Sequence, residues 1–173
     1  ALFASLCYSQ KGLGITLSAK RIDNMNFRSD RTVTGNALTM NYLPALTKPH
    51  TYTLLAFYPY ATQPNGEMAL QGQLNYKIKK NTTLGGKYGT DIAFNYSRAN
   101  AIDMQKVNDS TALMQPGTLG YKSDFFAIGD ELYFEDVNIE VSHKFNKKLK
   151  GIFTWAYLTY NSDVIEGHTD DIG

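Results

Sequence analysis

From Glu67 to Ile78 every second residue is apolar or small. Met68, Leu70, Gly72, Leu74, Tyr76 and Ile78 fall on one parity, and Glu67, Gln71, Gln73, Asn75 and Lys77 on the other, with Ala69 the one small exception. A strand points successive side chains to opposite faces, so this run has one apolar face and one polar face. It is about twice the usual length of a strand in a water-soluble domain. About ten tilted residues is what a strand needs to cross a bilayer. The pattern predicts a transmembrane β-strand.

The signature repeats. Between Lys87 and Arg98, Tyr88, Thr90, Ile92, Phe94 and Tyr96 alternate with Lys87, Gly89, Asp91, Ala93, Asn95 and Ser97. Val137, Ile139, Val141 and Phe145 alternate with Asp136, Asn138, Glu140, Ser142 and Lys144. After a turn at 146–148, Phe153, Trp155 and Tyr157 share a face opposite Lys150, Thr154 and Ser162, although Ile152, Ala156 and Leu158 dilute that polar face. Extended along the chain, the alternation predicts strands at 2–9, 13–23, 37–42, 51–60, 67–78, 87–98, 132–145 and 149–162. The expected fold is all-β: an antiparallel meander forming a transmembrane β-barrel of about eight strands, or that part of a larger barrel. Residues 1–173 then make one barrel domain or a fragment of one.

Connections set the topology. Outer-membrane barrels have short periplasmic turns and longer outside loops. With 146–148 in the periplasm, 79–86, 43–50 and 9–12 fall on the same side, leaving 24–36, 61–66 and the long 99–131 loop outside. The face with Leu70, Leu74, Tyr76, Ile92, Phe94, Tyr96, Val137, Ile139, Val141, Phe153, Trp155 and Tyr157 is expected to meet lipid. Gln71, Gln73, Asn75, Lys77, Lys87, Asp91, Asn95, Asp136, Asn138 and Glu140 are expected to face the lumen, with Lys20, Glu67, Arg98, Lys144 and Lys150 counted beside them. That set is mixed in sign, as in a lumen cross-linked by ion pairs. A strongly selective pore would carry one sign of charge.

Composition narrows the class. Lys and Arg number 17 against 16 Asp and Glu, so the basic excess of a nucleic-acid partner is missing. Barrel strands hide their apolar residues at alternate positions, so a slightly polar mean hydropathy is compatible with a membrane. Twelve Tyr, nine Phe and one Trp suit aromatic girdles, and would equally suit a soluble β-sandwich. Cys7 is the single cysteine, so no internal disulfide forms, and its place in an alternating run reads as an inert thiol. The chain opens within a strand and closes on EGHTDDIG without a final aromatic, which reads as a portion of a longer protein.

Four stretches carry a resemblance: LSAKRIDNMNFRSDR (17–31), NYLPALTKPHTY (41–52), YPYATQPNGE (58–67) and KIKKNTTLGGKYGT (77–90). Across roughly 13–160 the chain resembles an uncharacterised family of outer-membrane β-barrel proteins from Bacteroidota, a domain of unknown function. The resemblance implies a location and a barrel type, and no reaction.

Candidate chemistry is sparse. His143 falls on the apolar parity near a turn, His50 stands beside Pro49 in a connection, and His168 lies near Asp170 and Asp171 in the tail. A nucleophile or general base needs a partner held at a fixed offset, and no such offset is legible. The carboxylates Asp163, Glu166, Asp170 and Asp171 with His168 lack the ligand order of a calcium loop, and the glycines at 12–14 and 85–89 lack a phosphate-loop context. The reading is therefore a protein without enzymatic activity and without a cofactor. It sits in the bacterial outer membrane with lipid and other envelope proteins as partners, as a structural component of an envelope complex or a passive solute conduit. The alternatives are an outer-membrane hydrolase and a soluble surface β-sandwich that binds glycans.

Overall fold

The computed structural model describes residues 1–25, 27–30, 32, 38–40, 44–113 and 120–166. Its centre is a six-stranded antiparallel sheet, built from β1 (Leu2–Gln10), β2 (Leu13–Asp23), β5 (Gly66–Ile78), β6 (Thr90–Ile102), β9 (Ile128–Lys144) and β10 (Lys150–Tyr160), in that order. Among the described residues two further two-stranded sheets pair β3 (Phe27–Arg28) with β4 (Thr39–Met40), and β7 (Gln105–Lys106) with β8 (Tyr121–Lys122). Among the described residues the helical pieces are α1 (Thr53–Ala56) and α2 (Ser162–Glu166). The mostly antiparallel β architecture follows the alternation. The barrel does not: the sheet is not closed, and among the described residues β1 pairs with β2 alone and β10 with β9 alone.

Register aligns the two faces across all six strands. One row reads Tyr8, Ile15, Leu74, Phe94, Ile139, Trp155, and the next Leu6, Leu17, Gly72, Tyr96, Val137, Tyr157. Tyr76, Ile92, Val141 and Phe153 form a third, and Leu70 lies beyond the second. All twelve residues expected on the apolar face thus share one side. The opposite side carries Cys7, Thr16, Gln73, Asn95, Asn138 and Ala156 in one row and Ser5, Ser18, Gln71, Ser97, Asp136 and Leu158 in the next. A one-residue slip of any strand would exchange its faces, so agreement across five pairings makes the register specific.

Four sequence expectations are corrected. The predicted strand at 51–60 is instead a helical turn, Thr53–Ala56, followed by irregular chain. Leu55 and Phe57 put apolar residues on both parities there, and Leu54, Leu55 and Ala56 are serviceable helix formers. Of the predicted strand 37–42, Thr39 and Met40 pair with Phe27 and Arg28 outside the main sheet, and 37 and 41–42 lie outside the described residues. With neither segment in the sheet, the described residues of 43–50 and of 24–36 fall between the same two strands, β2 and β5, and so at the same end of the sheet. The 99–131 loop shortens to 103–127, because β6 runs to Ile102 and β9 starts at Ile128. Register shifts at Ala99/Asn100 and between Asn100 and Ile102 break the alternation that would have revealed those strand ends.

Smaller shifts follow from the same boundaries. Lys87 and Tyr88 sit in the 79–89 turn before β6, where Tyr88 lies under the Lys144 ammonium at 5.3 Å. Ser162 opens α2, whose first turn is capped by the Asn161 side chain accepting from Val164 N–H at 3.3 Å. Arg98 points to the apolar side and pairs with Glu135 at 3.4 Å, above the apolar rows. The tight ends of the sheet are 11–12, 79–89 and 145–149; at the first, Gly12 takes φ +85°, a region that favours glycine.

Candidate functional site

The polar side of the sheet is where the molecule concentrates its buried chemistry. Residues 44–65 lie across that side as a strap, from Pro44 against β2 through Lys48 and His50 against β9 to Tyr60 against β5. Small residues make room for it: Ala69 and Ala99 are buried beneath Leu46 and Tyr60, with Tyr133 and Phe134 completing the cluster. Tyr60 stacks on Phe134 at 5.0 Å, and Tyr58 meets Tyr160 at 5.3 Å. Val164 and Ile165 of α2 close the same cluster from the C-terminal side.

Two polar clamps fix the strap to the wall. In the first, Lys20 Nζ lies 2.7 Å from Glu67 Oε1, both side chains fully buried. The same ammonium donates to Thr62 Oγ1 at 2.8 Å and to the Pro44 carbonyl at 3.1 Å. Glu67 Oε2 accepts from the Tyr60 hydroxyl at 2.6 Å and from Gln63 N–H at 2.7 Å. Burial, then the Glu67 charge, push the Tyr60 phenol far above its ordinary value, so it stays a donor. Isolated buried charges are expensive, and this cluster leaves neither ion alone.

The second clamp lies one row further along the wall. Lys48 Nζ donates to Asn138 Oδ1 at 3.0 Å, and His50 Nε2 lies 2.8 Å from Asp136 Oδ2. Asn138 Nδ2 reaches both Asp136 oxygens at 3.0 Å. Asp136 is fully buried and the His50 side chain 8 % exposed. Beside the clamp, Gln71 donates to Asn95 at 3.1 Å and Asn95 to Ser97 at 3.1 Å. Towards the tight turns the wall opens, and Lys77 pairs with Asp91 at 2.9 Å with both side chains more than half exposed.

Of the residues expected to face inward, Lys20, Glu67, Gln71, Lys77, Asp91, Asn95, Asp136 and Asn138 meet partners on this side; Gln73, Asn75, Glu140, Lys144 and Lys150 share its parity, and Lys87 and Arg98 do not lie on it. What sequence reasoning missed is His50, which it left in a connection. The signal was present in part: Asp136 has inward parity and no cation on its own strand close to it. His143, expected at an interface, bonds Thr90 Oγ1 through Nδ1 at 2.7 Å and meets Phe145 edge-on. His168, Asp170 and Asp171 lie outside the described residues. The His50–Asp136 contact ties the strap to the wall across 86 residues of sequence.

The opposite face is bare. Leu6 is 69 % exposed, Leu17 53 %, Phe153 63 % and Trp155 52 %. Polar groups border it: Arg98, Glu135 and the Tyr96 hydroxyl at one end, His143 and Thr90 at the other. At the first end Arg21 donates to Ser123 at 2.8 Å and lies over Phe125, and the Tyr121 hydroxyl donates to Asp23, which together tie the 103–127 excursion to β2.

Over residues 1–172 the sequence matches the model of a family of unknown function. The chain belongs to the family of unknown function DUF6029. No curated protein and no solved structure matches it. Membership in DUF6029 therefore brings no assigned residue, and the two clamps and the bare face stand on their geometry.

Proposed function

We propose that this sheet is the wall of an integral β-barrel in the bacterial outer membrane, its apolar face against lipid and its polar face towards the lumen. The observation that carries the reading is the apolar face itself, in register over six strands and exposed. An apolar patch of that extent needs a cover. From Met68 to Ile78 the chain rises about 33 Å at roughly 3.3 Å per residue. Tilted by about 40°, that spans about 25 Å, the height of the apolar band of such barrels. Strands of 11 to 17 residues in β2, β5, β6, β9 and β10 also exceed what a soluble sandwich uses.

Hydrocarbon leaves no strand edge unpaired. The free edges of β1 and β10 therefore require further strands of the same alternating kind, which close the wall. In that setting the protein acts as a structural component of an envelope complex or a passive solute conduit, with no turnover of its own. The Bacteroidota envelope is part of the same proposal and rests on the resemblance of residues 17–31, 41–52, 58–67 and 77–90.

Fractionation tests the reading. The protein is expected to stay in the pellet through carbonate and to leave it with detergent. Release by carbonate alone would favour the soluble sandwich. Topology has its own expected result. In a Cys7→Ser background, Ser110→Cys is expected to react with an impermeant thiol reagent on intact cells, and Lys147→Cys to stay unlabelled. The long 24–65 and 103–127 excursions share one end of the sheet and the tight turns the other, so the reverse pattern would invert the protein in the membrane.

A further inference from the structure

We infer that residues 44–65 form a fixed constriction of the lumen and that Lys48 and His50 keep it from favouring cations. The inference rests on the barrel reading and adds what the strap does there. Barrel interiors are commonly narrowed or plugged by segments of the same chain, which lie on the polar side of the wall. Here the segment is anchored at several separate points. Backbone bonds from Asn24 N to Asn65 O at 3.0 Å and from Met25 N to Pro64 O at 2.7 Å tie its return to β2. The Lys20–Glu67 clamp holds Pro44, Tyr60 and Thr62, and the second clamp holds Lys48 and His50. A segment so tied narrows the bore permanently.

Charge beneath the strap is counted from the same contacts. The covered wall presents Lys20 against Glu67 and Asp136, an excess of one carboxylate. Lys48 brings the matching cation, and His50 occupies the Asp136 carboxylate directly. The strap's other side adds no charge: from Thr51 to Pro59 there is no ionisable acid or base apart from tyrosine, and Tyr52, Leu54, Phe57 and Tyr58 are exposed there. A solute passing the constriction meets uncharged aromatic and aliphatic groups on the strap, and the wall carboxylates are masked. The conduit is therefore narrow and close to indifferent to the sign of an ion. Without Lys48 and His50, Asp136 keeps only the neutral amide of Asn138 against it, and a carboxylate in a constriction favours cations.

The experiment uses the protein extracted from its membrane together with the strands that complete its wall, in planar bilayers, with potassium chloride gradients for selectivity and neutral sugars of graded size for bore. Wild type is expected to show small conductance and a cation-to-anion permeability ratio near one, or a closed lumen. The Lys48→Met/His50→Ala variant retains the Lys20–Glu67 clamp, and is expected to conduct severalfold more and to prefer cations. Adding Asp136→Asn to that variant is expected to abolish the preference while leaving the larger conductance. Replacing 47–58 by a short Gly-Ser link is expected to admit sugars that wild type excludes. If the double variant does not insert, Lys48→Gln, which keeps the His50–Asp136 contact and leaves one wall carboxylate without its matching cation, is expected to show a smaller preference for cations. Insertion with wild-type conductance and selectivity in every strap variant overturns the constriction and leaves the barrel standing. Insertion with no current in any variant does the same. A protein that never enters the bilayer overturns both readings together.

Discussion

Lys20→Met is expected to destabilise the folded protein by about 3–5 kcal/mol, because it strands the Glu67 carboxylate in a buried site. The pair is 2.7 Å apart and neither side chain reaches solvent. With the ammonium gone, Glu67 keeps the Tyr60 hydroxyl and Gln63 N–H, two neutral donors for a full negative charge. The Pro44 carbonyl and Thr62 Oγ1 lose their shared donor at the same time. Glu67→Gln removes the opposite charge and is expected to be severe as well, since Lys20 then lies buried without an anion. The two changes act on one network, so the double variant should fall well short of the sum of the singles. Urea unfolding of the refolded protein in lipid vesicles measures all three. Single effects below about 1 kcal/mol that simply add would mean the pair is solvated in the folded state, as exposed pairs are.

That network shows where a sequence can be read and where it cannot. Alternation puts Lys20 and Glu67 on the inward side, and the six sheet strands follow from the same period, because one face of each is apolar and the other polar. The strap has no such period. Residues 51–60 carry Tyr52, Leu54, Tyr58 and Tyr60 on one parity and Leu55 and Phe57 on the other, so the run reads as a buried strand when it is in fact irregular chain around a single helical turn. Its placement depends on partners far away in sequence, His50 with Asp136 and Lys48 with Asn138, 86 and 90 residues apart. A pairing of that kind has no local signature. The ends of β6 and β9 were hidden for a different reason, since a register shift after Ala99 exchanges the parity of everything beyond it. Closure of the sheet is not legible from alternation either, because period 2 is the same in an open sheet and in a barrel.

Arginine on the bare face gives a large effect only if lipid covers it. In water, a substitution at a half-exposed surface position changes stability by no more than about 0.5 kcal/mol in most cases. At the bilayer midplane of a barrel, the same change costs about 2–4 kcal/mol. Leu17, 53 % exposed, and Phe94, 36 % exposed, lie in adjacent central rows of the apolar face. Leu17→Arg and Phe94→Arg are therefore expected to lose about 2–4 kcal/mol in vesicles. The matched control is Gln73→Arg, whose position opposes Thr16 and Asn95 on the polar side, where an added guanidinium has water or amide partners; it is expected to lose less than either. Moving a charge towards the border occupied by Arg98 and Glu135 should shrink the penalty, so Leu70→Arg, opposite Arg98, is expected to fall between. A graded loss that peaks in the central rows has no counterpart on a water-facing sheet. Equal and small losses at Leu17, Phe94 and Gln73 would remove lipid from the apolar face, and the barrel with it.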